Sequence, residues 1–367
     1  MNKKVGTYSF LISGGGTGGH IFPALSIARE LEKQTGGARI HFVGARGRME
    51  MEKVPQAGYE ITGLPIAGLQ RKKWWKNLAL PFKVMGSLWG SYRLLKRFCP
   101  DAVIGTGGYA SLPLLWTAQR MGIPTYIQEQ NSYPGISNKI LGRKARKIFT
   151  AYDEAAAFFD KNKIVKTGNP VREDIRAERQ ASQEDYSGFG LQADKPVIFI
   201  TGGSLGSAAI NRRIAKWVEE GLPENLQLLW QTGKLYYDRY RSLESDKVRI
   251  MPFIKDMNKA YTVADIIVSR AGAGTLSELA LVGKPVILIP SPNVAEDHQT
   301  KNARAFERQQ AAILLPEKDL EALPKRIAEL IADKELRQRL SENLAKAARP
   351  GATARIVETI LNDLKQA

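Results

Sequence analysis

The chain has one cysteine, Cys99, among 367 residues, and only three histidines. A single thiol closes no internal disulfide, and no Cys/His cluster has zinc-ligand spacing, so a reducing compartment without a structural metal is expected. Apolar runs are short: Pro81 and Lys83 split the best one below the roughly 18 residues that a membrane-spanning helix needs. The amino end meets glycines after a brief apolar stretch, too short for a signal-peptide core, so export is not expected. Neither Gly-x-x-x-x-Gly-Lys-Ser/Thr nor Asp-x-Asp occurs. The first absence argues against a P-loop ATPase, the second against a divalent ion held on phosphates by that device. From Ile61 through Pro100 there is no acidic residue at all.

What is present is globular in composition: 43% apolar and 25% charged residues leave no room for disorder or collagen. The length is enough for two domains. The net charge of +17 is one-sided, because residues 1–167 carry 25 Lys/Arg against 10 Asp/Glu and residues 168–367 carry 29 against 27. Such a field attracts nucleic acid, anionic lipid or a phosphorylated substrate, and local context must choose.

Short β-rich runs alternate with amphipathic stretches, the pattern of parallel sheets with helical crossovers. Strands are predicted over 8–13, 39–43, 102–105, 125–128, 147–150 and 164–167, with helices near 21–34, 111–121 and 136–141. A second series, 197–201, 227–231, 248–251, 266–269 and 286–289, follows Thr167-Gly168-Asn169-Pro170. That tetrad reads as a linker, since Pro170 biases its predecessor away from helix and Gly168 loosens the backbone. The fold class is α/β, with two Rossmann-like doubly wound domains, 1–167 and 168–350. Ile356, Val357, Ile360, Leu361 and Leu364 form one face of a last helix in 351–367, expected to pack back on the first domain.

Both domains open alike. Phe10-Leu11-Ile12-Ser13 runs into Gly14-Gly15-Gly16-Thr17-Gly18-Gly19, and Phe199-Ile200-Thr201 into Gly202-Gly203-Ser204-Leu205-Gly206-Ser207. A glycine turn between strand and helix lets backbone N–H groups approach a phosphate, with the helix dipole behind them; it also serves plain strand-to-helix packing. The register is not that of a dinucleotide site, for Val43-Gly44-Ala45-Arg46 stands where an acidic residue belongs. His20 follows the first turn, where a helix N-terminus favours the neutral imidazole and so suits proton abstraction from a hydroxyl; a cap or core histidine is the alternative. In the second half, Ser269-Arg270-Ala271-Gly272-Ala273-Gly274-Thr275-Leu276-Ser277-Glu278 again joins strand to helix, and Glu278 lies one turn in, placed to grip a vicinal diol or merely to complement the dipole. Arg172, beside the linker, is the natural cation for a departing diphosphate, with an ordinary surface arginine as the alternative.

The acid-free segment interleaves Arg71, Lys72, Lys73, Lys76, Lys83, Arg93, Lys96 and Arg97 with Trp74, Trp75, Phe82, Trp89 and Tyr92. Tryptophan among basic residues fits the headgroup region of an anionic membrane, with a solvated basic face as the alternative. No nucleic-acid-binding module is recognisable, so nucleic acid is not an expected partner.

Gly14 to Ala24, Gly105-Thr106-Gly107-Gly108-Tyr109, Glu129-Gln130-Asn131-Ser132-Tyr133-Pro134-Gly135, Thr167 to Arg172, Gly202 to Ser207 and Asp297 to Ala303 together resemble the motifs of the MurG family of bacterial cell-wall N-acetylglucosaminyltransferases, in order and over nearly the whole chain. The resemblance implies a glycosyltransferase-B architecture, two Rossmann-like domains facing across a cleft, with the donor nucleotide in the carboxyl-terminal half. It implies inverting transfer of N-acetylglucosamine from UDP-GlcNAc to undecaprenyl-diphosphate-MurNAc-pentapeptide (lipid I), giving lipid II for peptidoglycan. No cofactor or metal is implied. The setting implied is peripheral, on an anionic surface at the cytoplasmic face of the plasma membrane, with other wall-synthesis or division proteins as further partners.

Motif by motif, the resemblance puts donor contacts on Thr17, Gly18, Gly19, Asn131, Arg172 and Ser204, on Ile254 for the uracil, on Ala273, Gly274, Thr275, Leu276, Ser277 and Glu278 around diphosphate and ribose, and on Gln299 for the sugar. His20 matches the position of the general base, and Gly107, Gly108 and Tyr109 lie in the loop associated with the acceptor diphosphate. His298-Gln299 departs from the Gln-Gln of some relatives. Lys72, Lys73, Trp74, Trp75 and Trp89 are the expected membrane contacts. The rivals are a UDP-GlcNAc 2-epimerase or a glycolipid glycosyltransferase of the same fold, and a non-catalytic nucleotide-binding membrane scaffold.

Overall fold

The computed structural model describes residues 8–68, 80–171, 175, 180–294 and 297–366. The chain divides into two compact units, Met1–Val171 with Arg349–Ala367, and Arg172–Ala348. The first unit holds strands β1 (Ser9–Ser13), β2 (Arg39–Ala45), β3 (Ile61–Leu64), β4 (Ala102–Gly105), β5 (Thr125–Glu129), β6 (Lys147–Thr150) and β7 (Ile164–Lys166). Its helices are α1 (Gly18–Thr35), α2 (Glu50–Gln56), α3 (Leu80–Phe98), α4 (Leu112–Arg120) and α5 (Ile136–Gly142). The second unit holds α6 (Gln183–Ser187), β8 (Val197–Thr201), α7 (Ala208–Glu220), β9 (Gln227–Gln231), α8 (Tyr237–Tyr240), β10 (Val248–Met251), α9 (Met257–Val263), β11 (Ile266–Ser269), α10 (Ala273–Val282), β12 (Val286–Leu288), α11 (His298–Arg308), β13 (Ile313–Leu314), α12 (Leu323–Ala332) and α13 (Lys334–Lys346). The last helix, α14 (Ala352–Lys365), returns to the first unit.

Each sheet is parallel throughout, in the order β3-β2-β1-β4-β5-β6-β7 in the first unit and β10-β9-β8-β11-β12-β13 in the second. Parallel strands covered on both faces must be apolar at every position, and Phe10, Leu11 and Ile12 of β1 and Ile198, Phe199 and Ile200 of β8 are fully buried. One face of the first sheet packs on α1 and α14, where Ile356, Val357, Ile360 and Leu361 join Ile21, Leu25 and Ile27. The opposite face packs on Leu95, Leu114, Leu115 and Leu141 of α3, α4 and α5. An ion pair of 2.6 Å from Arg146 to Asp363 and a hydrogen bond of 2.5 Å from the Tyr126 hydroxyl to the same carboxylate pin α14.

The direction of winding reverses between β1 and β4 in the first sheet and between β8 and β11 in the second. In open α/β sheets, ligands bind beyond the carboxyl ends of the strands at such a reversal. All four glycine-bearing turns of interest, after β1, β4, β8 and β11, sit at these two points.

The linker reading needs correction. Thr167, Gly168, Asn169 and Pro170 are buried within the first unit rather than bridging two bodies. The N–H groups of Thr167 and Gly168 both donate to Thr150 O, at 3.1 and 3.2 Å. A Cβ on Gly168, whose φ is +89°, would come within 2.4 Å of Arg349 Cβ, so its glycine serves close packing, not looseness.

Candidate active site

In the first unit, β1 ends in Ser13 and the chain turns through Gly14, Gly15 and Gly16 into α1. The turn is tight on every side. A Cβ on Gly14 would collide with Thr106 Oγ1 and one on Gly15 with Glu50 Oε1. Glu50, fully buried on α2, accepts from Gly16 N at 3.0 Å and from Ala45 N at 3.0 Å, tying the turn to the end of β2. Thr17 and Gly19 are exposed and Gly18 half-buried at the open end of α1, which no side chain caps.

His20 is half-buried in the first turn of α1. Its Nδ1 lies 3.0 Å from Thr106 O and 3.0 Å from Gln130 Oε1. A backbone carbonyl only accepts, so Nδ1 carries the proton and Nε2 is left with the lone pair. Burial lowers the imidazole pKa below 6.5, outweighing the Gln130 and Thr106 hydrogen bonds and the Glu50 carboxylate, which all act to raise it. The group is therefore a neutral base.

The turn after β4 packs directly against this ring. Gly107 and Gly108 adopt φ of +95° and +79°, where L side chains are strained. A Cβ on Gly107 would sit 3.1 Å from His20 Nδ1, and one on Gly108 would collide with Gly15 O. Tyr109 is half-buried against Gly16 and Gly68, and desolvation raises its phenol pKa. Next along the sheet, Glu129 at the end of β5 accepts from Asn131 N at 3.0 Å, Asn131 Nδ2 at 3.3 Å, Gly135 N at 3.3 Å and Asn138 Nδ2 at 2.8 Å. The Asn131 loop is thus wrapped around a buried carboxylate whose pKa burial raises.

In the second unit, the turn after β8 leaves Ser204 exposed and ends on Ser207, whose hydroxyl caps α7 by accepting from Ile210 N. Arg270, at the end of β11, donates to Ser207 Oγ at 2.5 Å and to Ile289 O at 3.1 Å, and pairs with Glu317 at 2.5 Å. Gln231, buried at the end of β9, donates to Thr201 Oγ1 at 3.0 Å and accepts from Ile254 N at 2.8 Å. Helix α10 starts at Ala273, and its N-cap residue, Gly272, offers no side-chain cap. Glu278 accepts from the Tyr261 hydroxyl at 3.1 Å, and Gln299 Oε1 accepts from Ser291 N at 2.8 Å.

The residues expected on each unit thus gather at that unit's strand ends, with differences. Leu276 is fully buried and its N–H is donated to Gly272 O at 2.9 Å. The Ser277 hydroxyl is turned back to Ala273 O at 3.1 Å. The Ile254 amide is already taken by Gln231. Arg172, Lys72, Lys73, Trp74 and Trp75 lie outside the described residues. Trp89 is 61% exposed on α3, in one stripe with Phe82 at 77% and Met85 at 68%; Trp116 is also exposed, on α4, which packs against α3. Sequence reasoning missed Glu50, Gln128, Glu129, Gln130, Gln231 and Arg270 as organisers of the turns; Glu129, Gln130 and Arg270 stood inside the motifs read there, but without a role. Among the described residues, no cluster of His, Cys, Asp and Glu is placed to hold a metal ion, and no helix is long and apolar enough to cross a membrane.

Residues 10–150 match the N-terminal domain of glycosyltransferase family 28, and residues 197–356 its C-terminal domain. A Flavobacterium psychrophilum protein is 51% identical over 96% of this chain and 97% of its own length. A Bacteroides fragilis protein is 48% identical over 97% and 96%. Both are named UDP-N-acetylglucosamine--N-acetylmuramyl-(pentapeptide) pyrophosphoryl-undecaprenol N-acetylglucosamine transferase. The crystal structure of Acinetobacter baumannii MurG matches with a TM-score of 0.77 at 30% identity, covering 97% of this chain and 99% of that one. A Neisseria meningitidis UDP-GlcNAc 2-epimerase shares the fold alone, with a TM-score of 0.65 at 15% identity over 97% and 100%.

Proposed function

This chain belongs to the MurG family within glycosyltransferase family 28, and from that premise we propose that it transfers N-acetylglucosamine from UDP-GlcNAc to undecaprenyl-diphosphate-MurNAc-pentapeptide, making lipid II for peptidoglycan. The observation that carries the chemistry is the His20 ring, whose Nδ1 faces the Thr106 carbonyl and the Gln130 amide oxygen and so carries the proton, leaving the lone pair on Nε2. In the reaction, the acceptor oxygen forms a bond to the anomeric carbon of the donor while the bond from that carbon to the UDP oxygen breaks. The hydroxyl proton passes to His20 Nε2. Attack opposite the leaving group inverts the configuration.

UDP departs with its negative charge facing groups of the second unit: the open first turn of α10, with Gly274 and Thr275, and the Ser204 turn. By the family resemblance, Glu278 accepts from a ribose diol, Gln299 reaches the sugar, and Thr17, Gly18, Gly19, Asn131 and Arg172 also contact the donor. Gly107, Gly108 and Tyr109 receive the acceptor diphosphate. Neutralisation by dipoles and cations makes a divalent ion unnecessary. The exposed Phe82, Met85 and Trp89 stripe, with Lys83 and Arg93 exposed on the same helix, supports docking on an anionic membrane at the cytoplasmic face, where a prenyl-linked acceptor resides.

The test is a transfer assay with UDP-GlcNAc and a short-chain lipid I analogue, with and without chelator. A disaccharide product formed equally in EDTA is the expected result. Formation of a 2-epimer from UDP-GlcNAc alone would replace transfer with epimerisation, and loss of product in EDTA would overturn the metal-free mechanism.

A further inference from the structure

The hydrogen-bond partners of His20 Nδ1, Thr106 O and Gln130 Oε1, are both neutral. Gln130, whose Oε1 faces Nδ1, donates through Nε2 to Thr106 O at 2.7 Å and to Gln128 Oε1. Gln128 Nε2 donates to Asn169 Oδ1 at 2.9 Å, and Asn169 Nδ2 donates to Gln130 O at 3.1 Å. All three amides are buried. Each amide oxygen meets an N–H and each amide nitrogen an oxygen, and the backbone carbonyls of Thr106 and Gln130 can only accept. Flipping any one amide sets donor against donor or oxygen against oxygen, so the relay has a single polarity.

We propose that Gln130, Gln128 and Asn169 are positioning residues for the transfer reaction: a neutral amide relay that holds His20 as the Nδ1–H tautomer and so keeps Nε2 as the proton acceptor. The inference rests on the reading of His20 as general base. A carboxylate at position 130 would still accept from Nδ1, but it would bring no donor to Thr106 O and Gln128 Oε1, and its charge would favour imidazolium and store a proton on the base before the acceptor arrives. A primary amide orients without charging. The ionisable groups nearby fit this division of labour. Glu50 acts on His20 from α2 across the glycine turn, Glu129 spends its carboxylate on Asn131, Gly135 and Asn138, and Tyr109 is held as a neutral phenol by desolvation. The relay ends on Asn169, two residues before the point where the chain leaves the first unit at Val171.

The experiment is histidine-labelled 15N NMR on the full chain, which has three imidazoles to resolve, read together with steady-state transfer kinetics. Wild-type His20 should show a protonated Nδ1 and an unprotonated Nε2 near neutral pH. Gln130→Met keeps the bulk and removes the side-chain hydrogen bonds, leaving Thr106 O as the remaining acceptor at Nδ1; the tautomer preference should weaken and kcat should fall about 10²-fold, with KM for UDP-GlcNAc unchanged. Gln130→Glu should retain the tautomer and move the acidic limb of the kcat profile upward by about one pH unit or more. Asn169→Leu should give the same changes as Gln130→Met to a smaller degree. A retained tautomer and near wild-type kcat in Gln130→Met overturns the relay while leaving His20 as base. A weakened tautomer preference with undiminished kcat overturns the base reading, and the relay's role falls with it. Should Gln130→Met fail to fold, Gln130→Glu decides alone, and an acidic limb that does not move overturns the proposal.

Discussion

The two units repeat one topology and reverse one sign. In each, the first central strand runs into a glycine turn next to the strand where winding reverses. The first turn is bonded by the buried carboxylate of Glu50; the second is bonded by the guanidinium of Arg270, which is also paired with Glu317, and by the neutral amide of Gln231. Overall charge runs the other way, with 25 basic against 10 acidic residues in 1–167 and 29 against 27 beyond. A diphosphate feels what is within a Debye length, about 10 Å, far more than the total on its domain. Local sign therefore separates the turn that carries a base from the turn suited to an anion. The first unit's surplus cations include Lys83, Arg93 and Arg120, on the helices that carry Trp89 and Trp116.

The sharpest way to break this comparison is at the base. His20→Ala should lower kcat by about 10²–10⁴ while donor affinity stays; near-normal turnover would leave the first turn without a chemical role. The pH profile carries a defined sign. Because burial lowers the His20 pKa, the acidic limb of kcat should lie below the ordinary imidazole value. Folding stability should begin to fall earlier, near pH 6.5, since the unfolded chain takes up a proton there that folded His20 resists. Calorimetry from pH 8 to 5 checks this, and stability that rises on acidification would contradict it.

A second pair of variants exchanges the signs. Arg270→Met should weaken UDP binding about tenfold, the scale of one lost hydrogen bond to a charged group. Glu50→Ala should leave UDP binding unchanged but cost about 1–3 kcal/mol of stability, because Gly16 N and Ala45 N lose their buried acceptor. Titration calorimetry with UDP and thermal melts on both proteins decide it. Equal effects of the two on UDP affinity would show that the turns do not differ as argued.

These organisers explain where sequence reading stopped. The central strands were legible because a buried parallel strand is a continuous apolar run, as in Phe10-Leu11-Ile12. Ile61–Leu64 was not, since Gly63 interrupts it, and Ile313–Leu314 offers only two residues. The glycine turns and His20 stood out as strand, glycine, helix. Gln128, Glu129 and Gln130 end a strand with no periodicity to mark their burial, and Glu50 becomes a neighbour of Gly16 only after β2 has paired with β1. Gly168-Asn169-Pro170 carries the same local signals whether it hangs free or is buried; only tertiary contacts with Thr150, Gln128 and Gln130 distinguish the two. Charge counts found the basic half but not its inward carboxylates.

The smallest expected effect concerns the outward cations. If the basic excess of the first unit serves a membrane, neutralising Lys83 on α3 should weaken partition to anionic vesicles about fivefold, the equivalent of about 1 kcal/mol per cation near the surface. Neutralising Lys318, equally exposed on the second unit, should change nothing. Trp89→Ser should weaken binding even to neutral vesicles, because its contribution is burial of apolar area and is indifferent to salt, whereas the Lys83 contribution should vanish at high ionic strength. Sedimentation with vesicles of graded anionic content separates the two terms. Equal losses from Lys83 and Lys318 would reduce the charge asymmetry to a solvated face, and the functional difference between the units would then rest on their glycine turns alone.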